Sequence, residues 1–586
     1  MSRQLLSGNE AIALGAHLAG VKVAVGYPGT PSTEILESLV AGNYPDIYVQ
    51  WSTNEKVALE VAIGASLSGV RALATMKHVG VNVAADPLMT VTYMGVGGGL
   101  VLVTADDPGM HSSQNEQDNR HYARFAKIPM FEPSDSQEAC AFMADAFRLS
   151  ESFDTPVLVR STTRISHSKG TVDPPKAQTS AVTPGFHRDP EKLVMIPAHA
   201  RKRHPIVEER LERLIQFVED DSILNRVEMR DPSIGIVTGG IAYQYVREAL
   251  PDASVFKLGL SYPLPIQRLK EFSRKVDALY VVEELDPFWE NELKVAGIEV
   301  RGKDLFPMVG ELSPQIIRQK ILREDPSPRA PIPDLPGRPP VLCPGCPHRG
   351  VFYTLNKLNY TVTGDIGCYT LGVLPPLSAM DTTTCMGASI GHALGMEKAL
   401  GDDTPPLVAV IGDSTFMHSG MTGLADVVFN RGEITTLILD NHTTAMTGHQ
   451  GNPTAGYDVH LEAAPRIDFV KLAEGLGVPN VRRARPYNLA AFAETLQWAD
   501  AQPGASVIVV DQPCVLLPGI DRSRSLRVTD DCTGCGQCLQ LGCPALYREN
   551  PEERASVAID ANVCVQCGMC AQVCPFDAIV PRGESK

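Results

Sequence analysis

Eight of the chain's 14 cysteines fall within its last 55 residues, in two runs: C-x2-C-x2-C-x4-C-P (Cys532, Cys535, Cys538, Cys543) and C-x2-C-x2-C-x3-C-P (Cys564, Cys567, Cys570, Cys574). This is the ligand arithmetic of two 4Fe-4S clusters, with three thiolates of each run on one cube and the fourth crossing to the other. Such clusters carry electrons one at a time. Zinc sites also use C-x2-C pairs, but these are usually separated by a dozen or more residues and are not three cysteines at successive x2 spacings closed by Cys-Pro. Disulfides are the other reading, and nothing in the sequence looks secreted.

A second group of polar residues has a spacing of its own. Gly412-Asp413-Ser414 ends one strand-like run, LVAVIGD, and Asp440-Asn441 ends the next, TTLILDN, with 26 residues between Ser414 and Asn441. One strand–helix–strand crossover fits that interval and returns both polar ends to the same carboxyl edge of a parallel sheet, where ligands gather. A diphosphate there needs a hard cation. Mg²⁺ takes oxygen ligands, here the Asp413 carboxylate, the Asn441 amide oxygen and a main-chain carbonyl near Thr443, and Gly412 lets the backbone approach. The pattern resembles the thiamine-diphosphate signature, although Gly-Asp-Ser alone is common in ordinary strand-end turns. Thiamine also needs a carboxylic acid on its aminopyrimidine ring nitrogen. In STNEKVALEVAIGAS, Glu55 resembles that acid, with Ala58, Ala62 and Gly64 as a small face beneath a ring. Glu55 also completes a capping box with Ser52, so helix capping stays open as its role.

The elements that must position these residues follow from composition and periodicity. The chain has 586 residues, 44% of them hydrophobic and 20% charged, as in an ordinary globular protein of several domains. Residues 1–175 alternate helical and strand-like apolar patterns, with helix starts expected at Ser7-x-x-Glu10, Ser52-x-x-Glu55 and Ser134-x-x-Gln137, and another with Pro31 in its first turn. Residues 176–325 read as a connector and a small α/β unit with strands SIGIVTGG and ALYVVEEL. A linker with seven prolines spans 326–340, a third α/β unit spans 341–520, and the cysteine-rich module spans 521–586. The first residues carry Glu10 and lack a basic start, so no signal peptide is expected. The longest apolar stretch, Val91–Val103, is broken by four glycines and reads as a buried strand with its approach loop. Cytoplasmic, reducing surroundings are therefore expected, with thiols free for metal. A formal charge of −16 argues against a nucleic-acid partner.

With these pieces in order, the chain resembles the large (alpha) subunits of the indolepyruvate ferredoxin oxidoreductases, within the 2-oxoacid:ferredoxin oxidoreductase superfamily. The resemblance implies a multidomain α/β thiamine-diphosphate-binding fold: a pyrimidine-binding domain at 1–175, a diphosphate and Mg²⁺ domain at 341–520, and an α+β ferredoxin-like tail. GYPGTPST at 26–33 is similar to an element reaching the substrate carboxylate, which would assign Thr30 that role, against a simple helix cap. Relatives hold a third 4Fe-4S cluster beside the thiamine. Its four elements are present here as Cys343 and Cys346 in CPGCPHR, Cys368 in GDIGCYT and Cys514 in DQPCVLLPG, with a zinc site or core thiols as the other reading. Cys140 and Cys385 are left over and are expected to be buried and apolar. Pyruvate-specific relatives tend to have Asn where TTAMTGHQ has Met446, and an adaptable apolar side chain suits a bulky flat substrate. His78, His111, Arg120 and His449 stand in loops expected to face the cofactor, as acid–base groups or as plain hydrogen-bonded residues. Arg201-Lys202-Arg203 reads as a solvated helix end.

The activity so implied is oxidative decarboxylation of an aryl 2-oxoacid, with coenzyme A taking the acyl group and electrons leaving to ferredoxin. A separate small beta subunit with a gamma-type domain is expected, in an α2β2 assembly, with no membrane partner. Two other readings are a non-oxidative thiamine decarboxylase or carboligase, and an electron-transfer subunit with degenerate thiamine domains.

Overall fold

The computed structural model describes residues 2–177, 184–221, 223–325, 337–519, 524–548 and 556–582. Of the proline-rich linker, only 337–340 lie within the described residues. The chain forms two compact units, 1–332 and 333–586.

The first unit is built on a seven-stranded sheet in the order Leu260–Tyr262, Met130–Phe131, Val157–Thr162, Leu100–Asp106, Ala72–Lys77, Val23–Gly26, Tyr48–Trp51. Every pairing is parallel except that of the Leu260–Tyr262 strand with Met130–Phe131. The central strands are buried along their whole length, because helices cover both faces and leave no polar side for alternation. A smaller sheet, Leu279–Val282, Asp231–Gly239, Ala253–Leu258 and Arg226–Glu228, shares a core with the first: Leu102, Leu158, Phe256 and Trp289 belong to one buried cluster. The sequence pattern gave residues 260–262 to the smaller α/β unit alone. In the structure they extend the larger sheet.

Helix starts depart from expectation in an informative way. Ser7 and Glu10 form the capping box expected of them. Asn54, not Ser52, caps the helix Glu55–Leu67, accepting from Val57 N–H at 2.9 Å, so Glu55 is its first residue. Asp135 caps Ser136–Phe153 by accepting from Glu138 N–H at 2.9 Å, while Ser134 donates to the Glu138 carboxylate. Asn and Asp cap at least as well as Ser, and each stood one or two residues nearer the helix. Pro31 lies before its helix, which starts at Thr33, in a turn closed by Gly29 N–H to Thr33 Oγ1 and Ser32 Oγ–H to the Gly29 carbonyl, both 2.9 Å. Val91–Met94 finish the helix Ala85–Met94, and the strand begins only at Leu100. At Gly95, φ is +77° and a Cβ would lie 2.3 Å from the Asp154 carboxylate.

Of the two roles open to Arg120, its contacts are those of a buried hydrogen-bonded residue. It is 1% exposed, and its guanidinium donates to Asp118 (2.5 Å), Glu283 (2.5 Å) and the carbonyls of Glu284 and Asp286. Arg160 beside it binds Asp106 at 2.7 Å and Glu132 at 2.6 Å. Burial works against the Asp118 charge, yet Arg120 and Arg160 hold its carboxyl well below the usual range. Arg203 is also not solvated: it donates to the Tyr93 carbonyl at 2.7 Å and lies 3.4 Å from Asp154.

The second unit contains a five-stranded, wholly parallel sheet ordered Thr361–Thr363, Leu407–Gly412, Thr435–Asp440, Ser506–Asp511, Asn480–Ala484. Its strands divide their residues by period two. Val408, Val410, Leu437 and Leu439 enter one core, and Leu407, Ala409, Ile411 and Ile438 enter the other. Two antiparallel pairs, Leu526–Val528 with Ile579–Pro581 and Leu546–Arg548 with Val557–Ile559, frame the cysteine-rich module. Among the described residues no helix is long and apolar enough to cross a membrane.

In the first unit, burial moves the Glu284 carboxyl into the neutral range. Glu284, 7% exposed, is pushed up to about 7, chiefly by desolvation, while Leu312 N–H and Arg160 pull the other way. A raised folded-state value favours the protonated form, so stability is complete below the ordinary value of 4.5 and declines as pH rises toward 7. Glu284→Gln should therefore unfold at about the parent's temperature at pH 5 and above it at pH 8, a gain of about 2 kcal/mol, read by thermal unfolding at the two pH values.

Candidate active site and metal centres

At the carboxyl edge of the first sheet, Glu55 is 6% exposed at the start of its helix. Its carboxyl group lies against Gly80, where a Cβ would come within 2.7 Å of both Cγ and Oε1. Because Asn54 does the capping, the Ser52 box does not account for Glu55. Ala58 and Ala62 are fully buried on the same face, three and seven residues on. Gly64 is exposed with nothing within 4 Å of an added Cβ: the helical period turns it away from that face.

The strand Ala72–Lys77 delivers two further groups to this edge. Lys77 is 9% exposed, donates Nζ–H to the Ser112 carbonyl at 2.6 Å, and is lowered by burial to about 8. His78 is fully buried, with Nε2 3.2 Å from the Asn115 carbonyl oxygen and no partner for Nδ1 among the described residues. Burial first, and Lys77 second, lower its pKa, so its imidazole is neutral at pH 7. The loop bearing half-buried Thr30 packs here too, since a Cβ on Gly29 would lie 3.0 Å from Lys77 Cβ. Lys77 was missed in the sequence, where it reads as an ordinary strand-end lysine. His111 turns elsewhere, with Nε2 3.1 Å from Glu311, which also binds Arg164 through two 2.6 Å hydrogen bonds.

The diphosphate-type motif lies at the carboxyl edge of the five-stranded sheet. Asp413 follows Gly412 directly, is 3% exposed, and accepts from Ser414 N–H at 2.7 Å. Gly412 is held against Tyr369, whose ring would be 2.7 Å from an added Cβ. Asn441 Oδ1 accepts from Thr443 N–H at 3.2 Å, and both residues are buried. The motif gave Asp440 no role of its own and did not reveal Asn452 and Thr454. The Thr454 hydroxyl lies 3.5 Å from carboxylate oxygens of both Asp413 and Asp440 and donates to Asn452 Oδ1 at 2.7 Å. Burial and the neighbouring Asp440 raise the Asp413 pKa, and burial raises that of Asp440. Buried, closely spaced carboxylate and amide oxygens are the donor chemistry of a hard divalent cation, so the residues present fit Mg²⁺. Met446 is 53% exposed nearby in sequence, and His449, at φ +67°, places Nε2 3.8 Å from Cys514 Sγ.

The remaining cysteines sort into three sets. Cys346 feels the charges of Cys343 and Cys368, and Cys368 those of Cys514 and Cys343, so the four form one neighbourhood. In the tail, Cys538 groups with Cys532, Cys574 and Cys535, and Cys570 with Cys567, Cys543 and Cys564. The last cysteine of each run thus stands with the first three of the other. Burial pushes the Cys368, Cys538 and Cys567 thiols up to about 11, so protons would stay on these sulfurs unless a metal displaced them. The donor sets fit iron–sulfur clusters. Cys140 is buried as expected, but Cys385 is exposed, because it lies in the turn that opens the helix Ala388–Leu400.

Two of the sets abut. Gly345, between Cys343 and Cys346, has φ +68°, and a Cβ there would be 2.1 Å from Val565 Cγ2 and 3.8 Å from Cys567 Cβ. The Tyr487 hydroxyl donates to the Gly345 carbonyl at 2.7 Å, and Gln572 donates to the Tyr487 carbonyl at 2.6 Å.

The chain is similar to known proteins along its length. Residues 14–228 match the thiamine-diphosphate-binding family model of pyruvate flavodoxin/ferredoxin oxidoreductases, residues 365–510 the C-terminal binding domain of thiamine pyrophosphate enzymes, and residues 557–580 a 4Fe-4S binding domain. Indolepyruvate oxidoreductase subunit IorA of Archaeoglobus fulgidus is 42% identical over 98% of this chain and 97% of its own. The IorA subunit of Thermococcus kodakarensis is 41% identical over 100% of this chain and 98% of its own, and that of Methanothermobacter thermautotrophicus 42% over 99% and 97%. Identity of this order along the full length of such relatives is decisive: the chain belongs to the IorA-type subunits of the thiamine-diphosphate-dependent, iron–sulfur 2-oxoacid:ferredoxin oxidoreductases.

Proposed function

We propose that the chain catalyses oxidative decarboxylation of aryl 2-oxoacids, indolepyruvate and similar acids, to aryl-acetyl-CoA. One 2-oxoacid, one coenzyme A thiol and two oxidised ferredoxins give one thioester, one CO₂, two reduced ferredoxins and a proton. The observation that carries this reading is the contact between the CPGC loop and the Cys567 loop. Three thiol sets in a row, two of them in direct contact, are what a two-electron oxidation needs when its acceptor takes single electrons. In this proposal each set holds one 4Fe-4S cluster.

When bound, thiamine diphosphate would supply the electron sink that takes up the electron pair left behind as CO₂ departs from the 2-oxoacid. Glu55 holds a proton at the aminopyrimidine ring nitrogen, and its tight seat against Gly80 fixes the carboxyl group for that hydrogen bond. Asp413, Asn441 and the Thr443 carbonyl hold Mg²⁺ on the diphosphate. Thr30 donates to the substrate carboxylate, with the partly titrating Lys77 at the same edge adding positive charge. His78, buried and neutral, can hand on or accept a proton without the cost of a second buried charge. Met446 offers an unbranched, exposed apolar surface to a flat aromatic tail. A small beta subunit carrying a gamma-type domain, in an α2β2 assembly, completes the coenzyme A site, and the assembly works in the cytoplasm.

Three measurements test this reading. An anaerobic assay with the small subunit, coenzyme A and ferredoxin should show indolepyruvate turned over well ahead of pyruvate, and Glu55→Gln should lower kcat by about 10²- to 10⁴-fold. Aldehyde released without any electron acceptor would defeat the oxidative reading. Met446→Asn should shift the aryl-to-alkyl kcat/KM ratio toward alkyl acids by about tenfold, and an unchanged ratio would remove Met446 from specificity. Cys574→Ser should cost about four iron atoms and erase the same EPR signal as Cys538→Ser, while Cys543→Ser should erase the signal lost in Cys564→Ser.

A further inference from the structure

Arg349 is the second residue of the helix His348–Lys357, directly after the CPGCP turn, and is 2% exposed. Its guanidinium reaches two loops. On one side it donates to the Leu342 carbonyl and, at 3.0 Å, to the Cys343 carbonyl. On the other it donates to the carbonyls of Leu541 at 3.0 Å and Gly542 at 2.5 Å, immediately before Cys543. Gly542 stands at φ +61°, and a Cβ there would lie 3.2 Å from the guanidinium, so the loop is shaped around it.

These carbonyls satisfy the donors but not the charge. Arginine stays protonated in proteins, and a buried cation without an opposite charge is costly. Among the described residues no carboxylate pairs with Arg349. Burial opposes its charge, and the sulfurs nearest in electrostatic reach are those of Cys543, Cys346, Cys343 and Cys567, two from each of the abutting thiol sets. A cluster ligated by four thiolates is an anion that becomes more negative with every electron it accepts, so a fixed cation beside it favours the reduced form. The outermost set, Cys532, Cys535, Cys538 and Cys574, has no share in these contacts. Its neighbouring cation is the half-buried Arg548, which donates to the Gly534 carbonyl at 2.9 Å.

We propose that Arg349 is the shared counter-cation of the Cys343 and Cys543 cluster sites, holding their loops together and making both clusters easier to reduce than they would otherwise be. Arg349 acts through the main-chain carbonyls of the two cysteine loops, so it is a positioning residue. The inference rests on both cysteine sets carrying 4Fe-4S clusters.

The test is an EPR-monitored redox titration of the anaerobically purified holoenzyme with iron analysis, the outermost cluster being identified by its loss in Cys574→Ser. Arg349→Gln should retain iron and move two midpoints negative by at least a tenfold change in the reduction equilibrium, about 59 mV for a one-electron couple, leaving the outermost in place. Arg349→Lys, which keeps the charge without the planar fork, should return most of that shift. Full iron with three unmoved midpoints in Arg349→Gln would overturn the proposal. If Arg349→Gln does not hold iron, Arg349→Lys decides: iron retained with both midpoints within tenfold of the parent supports the counter-cation, and iron retained with both midpoints fallen overturns it. Iron lost from both variants would make Arg349 a loop tether only and overturn its electrostatic role. A parent holoenzyme carrying fewer than about twelve iron atoms per chain would instead refute the cluster reading, before any variant is made.

Discussion

Thiols withdrawn from water resist ionisation, and this constraint governs the second unit. Burial raises the pKa of cysteines in all three sets, so making thiolates there carries a cost that metal ligation would offset. The strands around the tail are only three residues long, and three of the eleven buried members of its core, Cys538, Cys564 and Cys570, are cysteines. Metal and fold would therefore be linked there, since ligation adds free energy to a small core.

The first unit solves a different electrostatic problem. Arg120 and Arg160 lie among Asp106, Asp118, Glu132 and Glu283, nearly dry, at the junction of two sheets. Ion pairs so placed add little net stability, but removing one partner leaves a charge stranded. They fix the register in which the strand ends meet, and Lys77 and His78 stand at the edge of that arrangement. Their lowered pKa values arise from the same desolvation that makes the ion pairs tight.

Much of this was legible in the residues. Cysteine spacing alone forecast which sulfurs gather in the tail, because ligand geometry is local in sequence. The interval from Ser414 to Asn441 forecast two adjacent parallel strands, because a crossover has a minimum length. Long-range partners were not legible. Nothing in CPGCPHR announces that Arg349 reaches Leu541, 192 residues away, nor does the motif around Asp413 point to Thr454. Helix starts were misjudged by one or two residues wherever two capping residues stood close together, as with Ser52 and Asn54. Cys385 was misread because composition treats cysteine as a core residue and cannot see that its turn is exposed. Arg120 sits in a polar run that reads as a loop toward a ligand, yet beside the neighbouring Asp118 its partners come from Glu283, Glu284 and Asp286, more than 160 residues on.

The short antiparallel strand Leu260–Tyr262 binds the two sheets of the first unit into one piece. A chain ended at residue 230 would strip this strand away and leave Met130–Phe131 as an uncovered margin, with free amides and carbonyls beside apolar side chains. The amino-terminal third is thus not an excisable module: produced by itself, it would offer a sticky border to its own copies.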